Sequence, residues 1–409
     1  MMKLTAEIKK LCNEKYISLD NGEGCPIEEA YTYAEIDRIL ILKSEGKEQF
    51  DHCVQLLRDT NNLGQSLTTK SIRKFFVIYL VKNNLDKERI NDDSVKQFIK
   101  EIQLQPEREY IGWHRIQGIG SRTDKKLKIG KFEVIVGKEL LLSEIEEHTK
   151  ECSQDLRTVL KDKITQGNEW IITRAYAREA EKAQEKVYEE MEIFQNMLRI
   201  VGWMINPDFR INILDYEDTY YDECLMICKP IEGGFFSKLN GHTPKLEIAQ
   251  IEFFEKEFLE KMETICEKKE QSKWDNAILR GIGFLGRAII EGPTAIGFLQ
   301  GMIAIECLTT YSEETMISPG VSAQICENCA FLLGDNREER VKISSDLKKL
   351  YKTRSAITHG GKDSMVKKSY YEILEYSAKI IKKICTDIKF SDWRSMEDLR
   401  EFIQNEKYK

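Results

Sequence analysis

The chain has 409 residues, 41% hydrophobic and 32% charged, with only 7 prolines and 24 glycines. This composition excludes a disordered or collagen-like chain and predicts soluble, helix-rich globular modules, two or three at roughly 150 residues each. A formal net charge of −7 excludes a surface coated in positive potential, so any nucleic-acid contact must come from a local patch.

The first residues, MMKLTAEIKKLCNEKY, are amphipathic and charged, with no apolar h-region or small-residue cleavage site, so no export is expected. From there to about residue 105, IEEAYTYAEIDRILILKSEG, KEQFDHCVQLLRDTNNLG and SIRKFFVIYLVKNNL carry helical spacing and stop at Gly or Asn. This predicts a helical N-terminal module over 1–105. Beyond it, YIGWHRIQGIGSRTDKKLKIGKFEVIVGKE alternates apolar and polar residues around a polar turn, as a hairpin does. NEWIITRAYA reads as a strand leading into a long helix with apolar contacts at Val187, Met191, Phe194 and Leu198; FRINILDY and DECLMICKP read as further strands. A small mixed α/β module is therefore expected over 106–245, closed by the Gly-rich stretch KPIEGGFFSKLNGHTPKLE.

The remainder, 246–409, is helical again. A Gly-Pro pair at Gly292 and Pro293 is expected to kink or break its second long helix. The longest uncharged run, Gly292 to Ile305, is shorter than the ~18 residues a spanning helix needs, so no membrane segment is expected. The 11 cysteines, odd in number and without framework spacing, fit reduced thiols in a cytoplasm better than disulfides.

Two motifs imitate functional sites. GIGFLG, Gly281 to Gly286, matches a dinucleotide fingerprint, with Glu306 near the place of a ribose-binding acid. The fingerprint needs a preceding strand, whereas Trp274, Ile278, Ile282 and Leu285 carry helical spacing through it, which favours close helix packing over small residues. CENC, Cys326 to Cys329, has half the spacing of a zinc knuckle without a second pair; buried structural thiols are the expectation, as for Cys224 and Cys228. His52, His114, His148 and His242 lie in unrelated contexts and form no catalytic or metal signature.

The stretch DLKKLYKTRSAITHGG, Asp346 to Gly361, is different. At 100° per residue, Leu347, Leu350, Tyr351 and Thr358 share one stripe with Ile343 and Ile357 at its edges, and Arg354 falls in the middle of it. A guanidinium cannot shed its proton, and burying it without a partner costs on the order of 3–5 kcal/mol. His359 lies about 120° round from Leu347, beside Lys348, Lys352 and Ser355, with Gly360 and Gly361 placed to end the helix. A histidine in a helix's last turn is suited to proton transfer near neutral pH. Asp335 to Lys368 holds ten Lys or Arg against five Asp or Glu, reversing the sign of the chain locally. Two readings stay open on these residues. In one, a phosphodiester is held by lysines, with Arg354 stabilising phosphorane charge and His359 moving protons. In the other, a buried Arg354 pairs with Glu306 on an otherwise solvated helix.

LYKTRSAITHGG, together with the upstream segments FLQGMIAIECLTTY and SAQICENCAFLLG, resembles the HEPN domains of prokaryotes, and within them the Apea-like HEPN family, over residues 275–388. The resemblance implies an all-helical bundle within 246–409 that dimerises, bringing two R-x-x-x-x-H motifs into one cleft as a metal-independent endoribonuclease without cofactor. The whole chain is then mainly α. Arg354 and His359 would be the catalytic pair, supported by Glu306, Ser355 and Tyr351, with Lys348, Lys349, Lys352 and Lys362 holding RNA. Many HEPN nucleases have Asn, Asp or His after the arginine; this chain has Ser355, as Apea-like members tend to. The implied role is the toxin or effector of a prokaryotic antiviral system acting on tRNA or mRNA. Residues 1–245 would sense a phage-derived trigger or restrain the nuclease, and no membrane is involved. The alternatives are a HEPN module that dimerises and binds RNA or nucleotide without cutting, and an unrelated helical scaffold in which Arg354 and Glu306 form a structural ion pair.

Overall fold

The computed structural model describes residues 1–20, 30–31, 39–150, 169–214, 223–228, 232–237, 245–268, 270–311, 320–360 and 366–408, with the single positions 154, 158 and 161. The fold is mainly α-helical. The chain divides into two compact units: Met1–Ile111 with Arg174–Val187, and Gly112–Thr173 with Tyr188–Lys409.

In the first unit, helices α1 (Met2–Leu11), α2 (Ser44–Asp59), α3 (Thr69–Lys82) and α4 (Asp92–Gln103) bury one face each. Ile8, Phe50, Leu57 and Phe76 are fully buried, and the rings of Phe50 and Phe76 lie 5.3 Å apart. Burying such side chains contributes about 1.5–3 kcal/mol each. Local signals set the helix starts: Thr68 accepts from the Ser71 N–H, and Asn91 with Ser94 forms a capping box.

Within IEEAYTYAEIDRILILKSEG, where a helix is expected, the described residues hold strands β2 (Ala30–Tyr31) and β3 (Ile39–Leu42) before Ser44 opens α2, and β3 pairs antiparallel with β1 (Ile17–Asp20), Ile17 opposite Leu42. Leu40 and Leu42 are buried while Ile41 between them is half-buried, a two-residue alternation. The non-local partner strand overrides the local helical spacing.

In the second unit, β6 (Lys125–Ile129) and β7 (Phe132–Val136) form a hairpin whose turn places Gly130 at φ +51°. They belong to a sheet in the order β6-β7-β8-β4-β9, with β4 at Arg108–Gln117 and β8 at Glu169–Ala177, each holding residues of both units, and β9 at Asn212–Leu214; β5 (Ile119–Gly120) pairs instead with Leu246–Glu247, and helix α5 (Lys138–His148) follows β7. Cys224 and Cys228 lie on a strand, Glu223–Cys228. The four apolar positions expected on the long helix α6 (Ala180–Ile205, whose residues through Val187 belong to the first unit) are all buried, and Phe194 stacks on Phe132 of β7 at 4.2 Å.

The rest of this unit is helical: α7 (Lys256–Glu267), α8 (Lys273–Glu291), α9 (Ala295–Thr309), α10 (Val321–Leu333), α11 (Arg337–Gly360), α12 (Val366–Thr386) and α13 (Met396–Lys407). Helix α7 is preceded by a π-helical turn, Ile251–Glu255. GIGFLG lies inside α8, where a Cβ on Gly281 would come within 3.2 Å of Leu308 and the Asn196 side chain crowds Gly286. These glycines serve helix contact. The Gly292-Pro293 pair separates α8 from α9, with Gly292 at φ +78°. At Gly301 a Cβ would meet Ile373 at 2.9 Å, and Ser377 donates to the Gly301 carbonyl at 3.1 Å, so α9 and α12 approach backbone-close. Among the described residues no helix is long and apolar enough to cross a membrane.

Candidate active site

Helix α11 presents two faces of different character. Leu347 and Leu350 are buried and Ile343 half-buried, so the apolar stripe faces inward as its period predicts. Arg354 continues that stripe. Its partner is Glu306, in the last turn of α9. Nε approaches Oε1 at 2.9 Å but off the N–H axis, and the aligned contact is Nη2 donating to Oε2 at 3.4 Å. The guanidinium also sits 5.4 Å from the Tyr351 ring centroid.

With side chains 29% and 19% exposed, Arg354 and Glu306 lie between the surface and interior limits of an ion pair. Burial pushes the Glu306 carboxyl above the usual carboxylate range, an effect larger than the opposing attraction and hydrogen bond of Arg354. A guanidinium carries five N–H donors, and Glu306 engages at most two of Arg354's. The remaining donors can meet anionic oxygens.

Beside this pair is Cys307, whose thiol burial pushes up while the charge of Arg280 opposes the shift. Arg280 is exposed on α8, and its nearness to Glu306's neighbour is a tertiary fact that nothing in the spacing of the sequence announces.

His359 is exposed in the last turn of α11 and has no partner among the described residues. Arg354 and His359, five residues apart, point about 140° away from each other around one helix. One protomer therefore joins Arg354 to Glu306 and Tyr351, and leaves His359 on the solvent face with Ser355, Lys352 and Lys348, all exposed. Lys349, also exposed, salt-bridges Asp346 at 2.9 Å; that contact, followed by the Tyr376 hydroxyl, holds the Asp346 carboxyl below the usual range. Lys362 and Gly361 lie outside the described residues, as does His242. Thr358, expected on the inner stripe, is exposed instead, its hydroxyl donating back to the Arg354 carbonyl at 3.0 Å.

Among the described residues the imitating motifs offer no competing centre. Cys326 and Cys329 are buried free thiols on α10, and burial raises both. Among the described residues no three His, Cys, Asp or Glu side chains gather as a metal site. His114 packs edge-on to Tyr188, with burial pushing its imidazole down to about 4, so it is neutral at pH 7.

No family model, curated protein or solved structure matches the chain.

Proposed function

We propose that this chain is a HEPN-type endoribonuclease with Arg354 and His359 as its catalytic residues. The observation that carries the reading is Arg354 itself. It is a half-buried, permanently charged guanidinium whose acid, Glu306, is held above the usual carboxylate range by burial, on a helix that also displays an exposed His359, without a partner among the described residues, in a locally basic segment. Such a group supports stabilisation of a phosphorane, and an exposed imidazole supports proton transfer.

In this scheme the ribose 2′-OH attacks the adjacent phosphorus while His359 takes its proton. Arg354 donates to the equatorial oxygens of the pentavalent state. The P–O5′ bond breaks, and O5′ leaves as a hydroxyl on receiving a proton from the imidazolium of a second protomer. The products are a 2′,3′-cyclic phosphate and a 5′-OH. Two copies of α11 in a homodimer reconcile the 140° divergence within one chain, since the Arg354 of one copy can share a cleft with the histidine of the other. The substrate class is cellular RNA, tRNA or mRNA, and residues 1–245 act as sensor or restraint in an antiviral effector.

The test is expression of the intact chain beside His359→Ala and Arg354→Ala, with growth, RNA fragments and fragment ends read together. Loss of cleavage by 100-fold or more, roughly the contribution of a general acid-base, is expected for His359→Ala. Fragments bearing 5′-phosphates overturn the scheme. The divergence of Arg354 and His359, with Ser355 between them, favours one second reading, a HEPN dimer that binds RNA without cutting. In that case His359→Ala binds RNA as the parent does and neither cleaves.

A further inference from the structure

Helices α10, α11 and α13 enclose an open groove of about 620 Å³ at the opposite end of α11 from His359. Its floor is apolar, with Phe331 and Ala330 from α10, and the exposed Val341 of α11 also lines it. The Arg340 guanidinium lies 4.5 Å from the Phe331 ring centroid and is held there by Glu406 at 3.0 Å and by the Gly334 carbonyl at 3.0 Å. Lys407 takes the other acid, Glu327, at 2.8 Å. Both carboxylates lining the groove are thereby matched. Two exposed cations remain, Arg337 and Lys348, neither with a salt-bridge partner among the described residues, and the Ser344 and Ser345 hydroxyls stand between them.

These groups belong to a longer pattern. Arg337, Val341, Ser344, Lys348, Lys352, Ser355 and His359 follow one another in steps of four or three residues, so they form a single stripe along the solvent side of α11. At ~1.5 Å per residue, Arg337 to Lys348 and Lys348 to His359 each span roughly 16 Å. A stacked strand rises ~3.4 Å per nucleotide, so each interval matches about five nucleotides.

We propose that this groove is an exosite for single-stranded RNA, holding the strand whose continuation along α11 reaches His359. The inference rests on the nuclease reading for the direction of the strand, and on the groove's own chemistry for its occupant. Arg337 and Lys348 take phosphates. Arg340, fixed over Phe331, offers its outer face to a base, and Val341, 62% exposed in an otherwise polar stripe, gives the ribose or base an apolar contact. The serine hydroxyls can bond phosphate or 2′-OH oxygens. A single strand fits better than a duplex because stacking on a fixed guanidinium needs an unpaired base face.

The test uses the full chain carrying His359→Ala, so that bound RNA stays intact, and a fluorescein-labelled oligouridylate of about twelve nucleotides read by anisotropy across a salt series. In that background Arg337→Ala with Lys348→Ala should weaken binding by about tenfold or more. It should also reduce the slope of log K against log salt by ~1.4, the release expected from two single-strand phosphates. Arg337→Lys with Lys348→Arg, which keeps both charges, should retain the parent's slope and exclude a folding artefact. Unchanged affinity and slope in the alanine pair overturns the exosite, and so does failure of the parent to bind the oligonucleotide. Displacement of the RNA by polyglutamate at equal charge concentration overturns it in favour of an acidic polypeptide. Because the readout is binding, a chain that shows the slope change but never cleaves refutes the nuclease reading alone.

Discussion

Removing Glu306 tests how Arg354 is held. An exposed ion pair contributes about 0.2–1 kcal/mol, whereas stripping one partner from a fully buried pair costs about 3–5 kcal/mol. The Arg354 and Glu306 side chains, 29% and 19% exposed, lie between these limits, and their aligned hydrogen bond is long at 3.4 Å. Glu306→Ala should therefore destabilise the second unit by about 1–2 kcal/mol, or a few degrees in Tm at roughly 2–4 °C per kcal/mol. Glu306→Gln should cost distinctly less, within about 1 kcal/mol of the parent. Burial penalises the Glu306 charge by more than Arg354 favours it, and the amide removes that penalty while keeping a carbonyl for the guanidinium. All five tryptophans, Trp113, Trp170, Trp203, Trp274 and Trp393, lie in the second unit. Urea unfolding followed by tryptophan emission therefore reads the relevant unit without signal from the first. If Glu306→Gln costs as much as Glu306→Ala, charge pairing outweighs desolvation and the account of an incompletely matched Arg354 is refuted.

The pH dependence of the same unfolding transition carries a second expectation. Glu263 on α7 is 2% exposed, and burial, followed by a hydrogen bond and repulsion from Glu267, pushes its carboxyl up to about 7. Since the folded value exceeds the unfolded one, its contribution is complete below about pH 4.5 and is lost as pH rises through 7. Stability should fall by roughly 1–3 kcal/mol between pH 5 and 8 from this group, and Glu263→Gln should flatten the curve; parallel curves for parent and variant would remove Glu263 as the cause. At the contact of α9 with α12, Gly301→Ala places a Cβ 2.9 Å from Ile373 and 3.1 Å from Leu374. Overpacking of this kind should cost about 1–3 kcal/mol, seen as a lower urea midpoint, and an unchanged midpoint would mean that the two helices separate freely.

Much of the helical architecture is legible in the sequence because amphipathic spacing is a local property. The buried positions Val187, Met191, Phe194 and Leu198 follow from a 3.6-residue period, and the helix running through GIGFLG follows from Trp274, Ile278, Ile282 and Leu285. The same period places Arg354 on the inner stripe of α11 with Leu347 and Leu350, and His359 on its solvent side. The pattern fails where pairing is distant. Ile39 to Leu42 looks helical in isolation and becomes a strand because Ile17 to Asp20 lies across from it.

At the site, the sequence by itself determined which residue types meet on α11, including an arginine on an apolar stripe and a candidate acid in Glu306. Only the tertiary structure decided how well that acid serves, since the penalty on its charge depends on everything packed around it rather than on its neighbours in the chain. The groove beyond Lys348 was likewise invisible in the sequence. Arg340 finds Glu406 across 66 positions, and Lys407 finds Glu327 across 80. Which cations stay free for a ligand is set by these long-range pairings, because a charge is matched by what lies within a few ångströms of it in space.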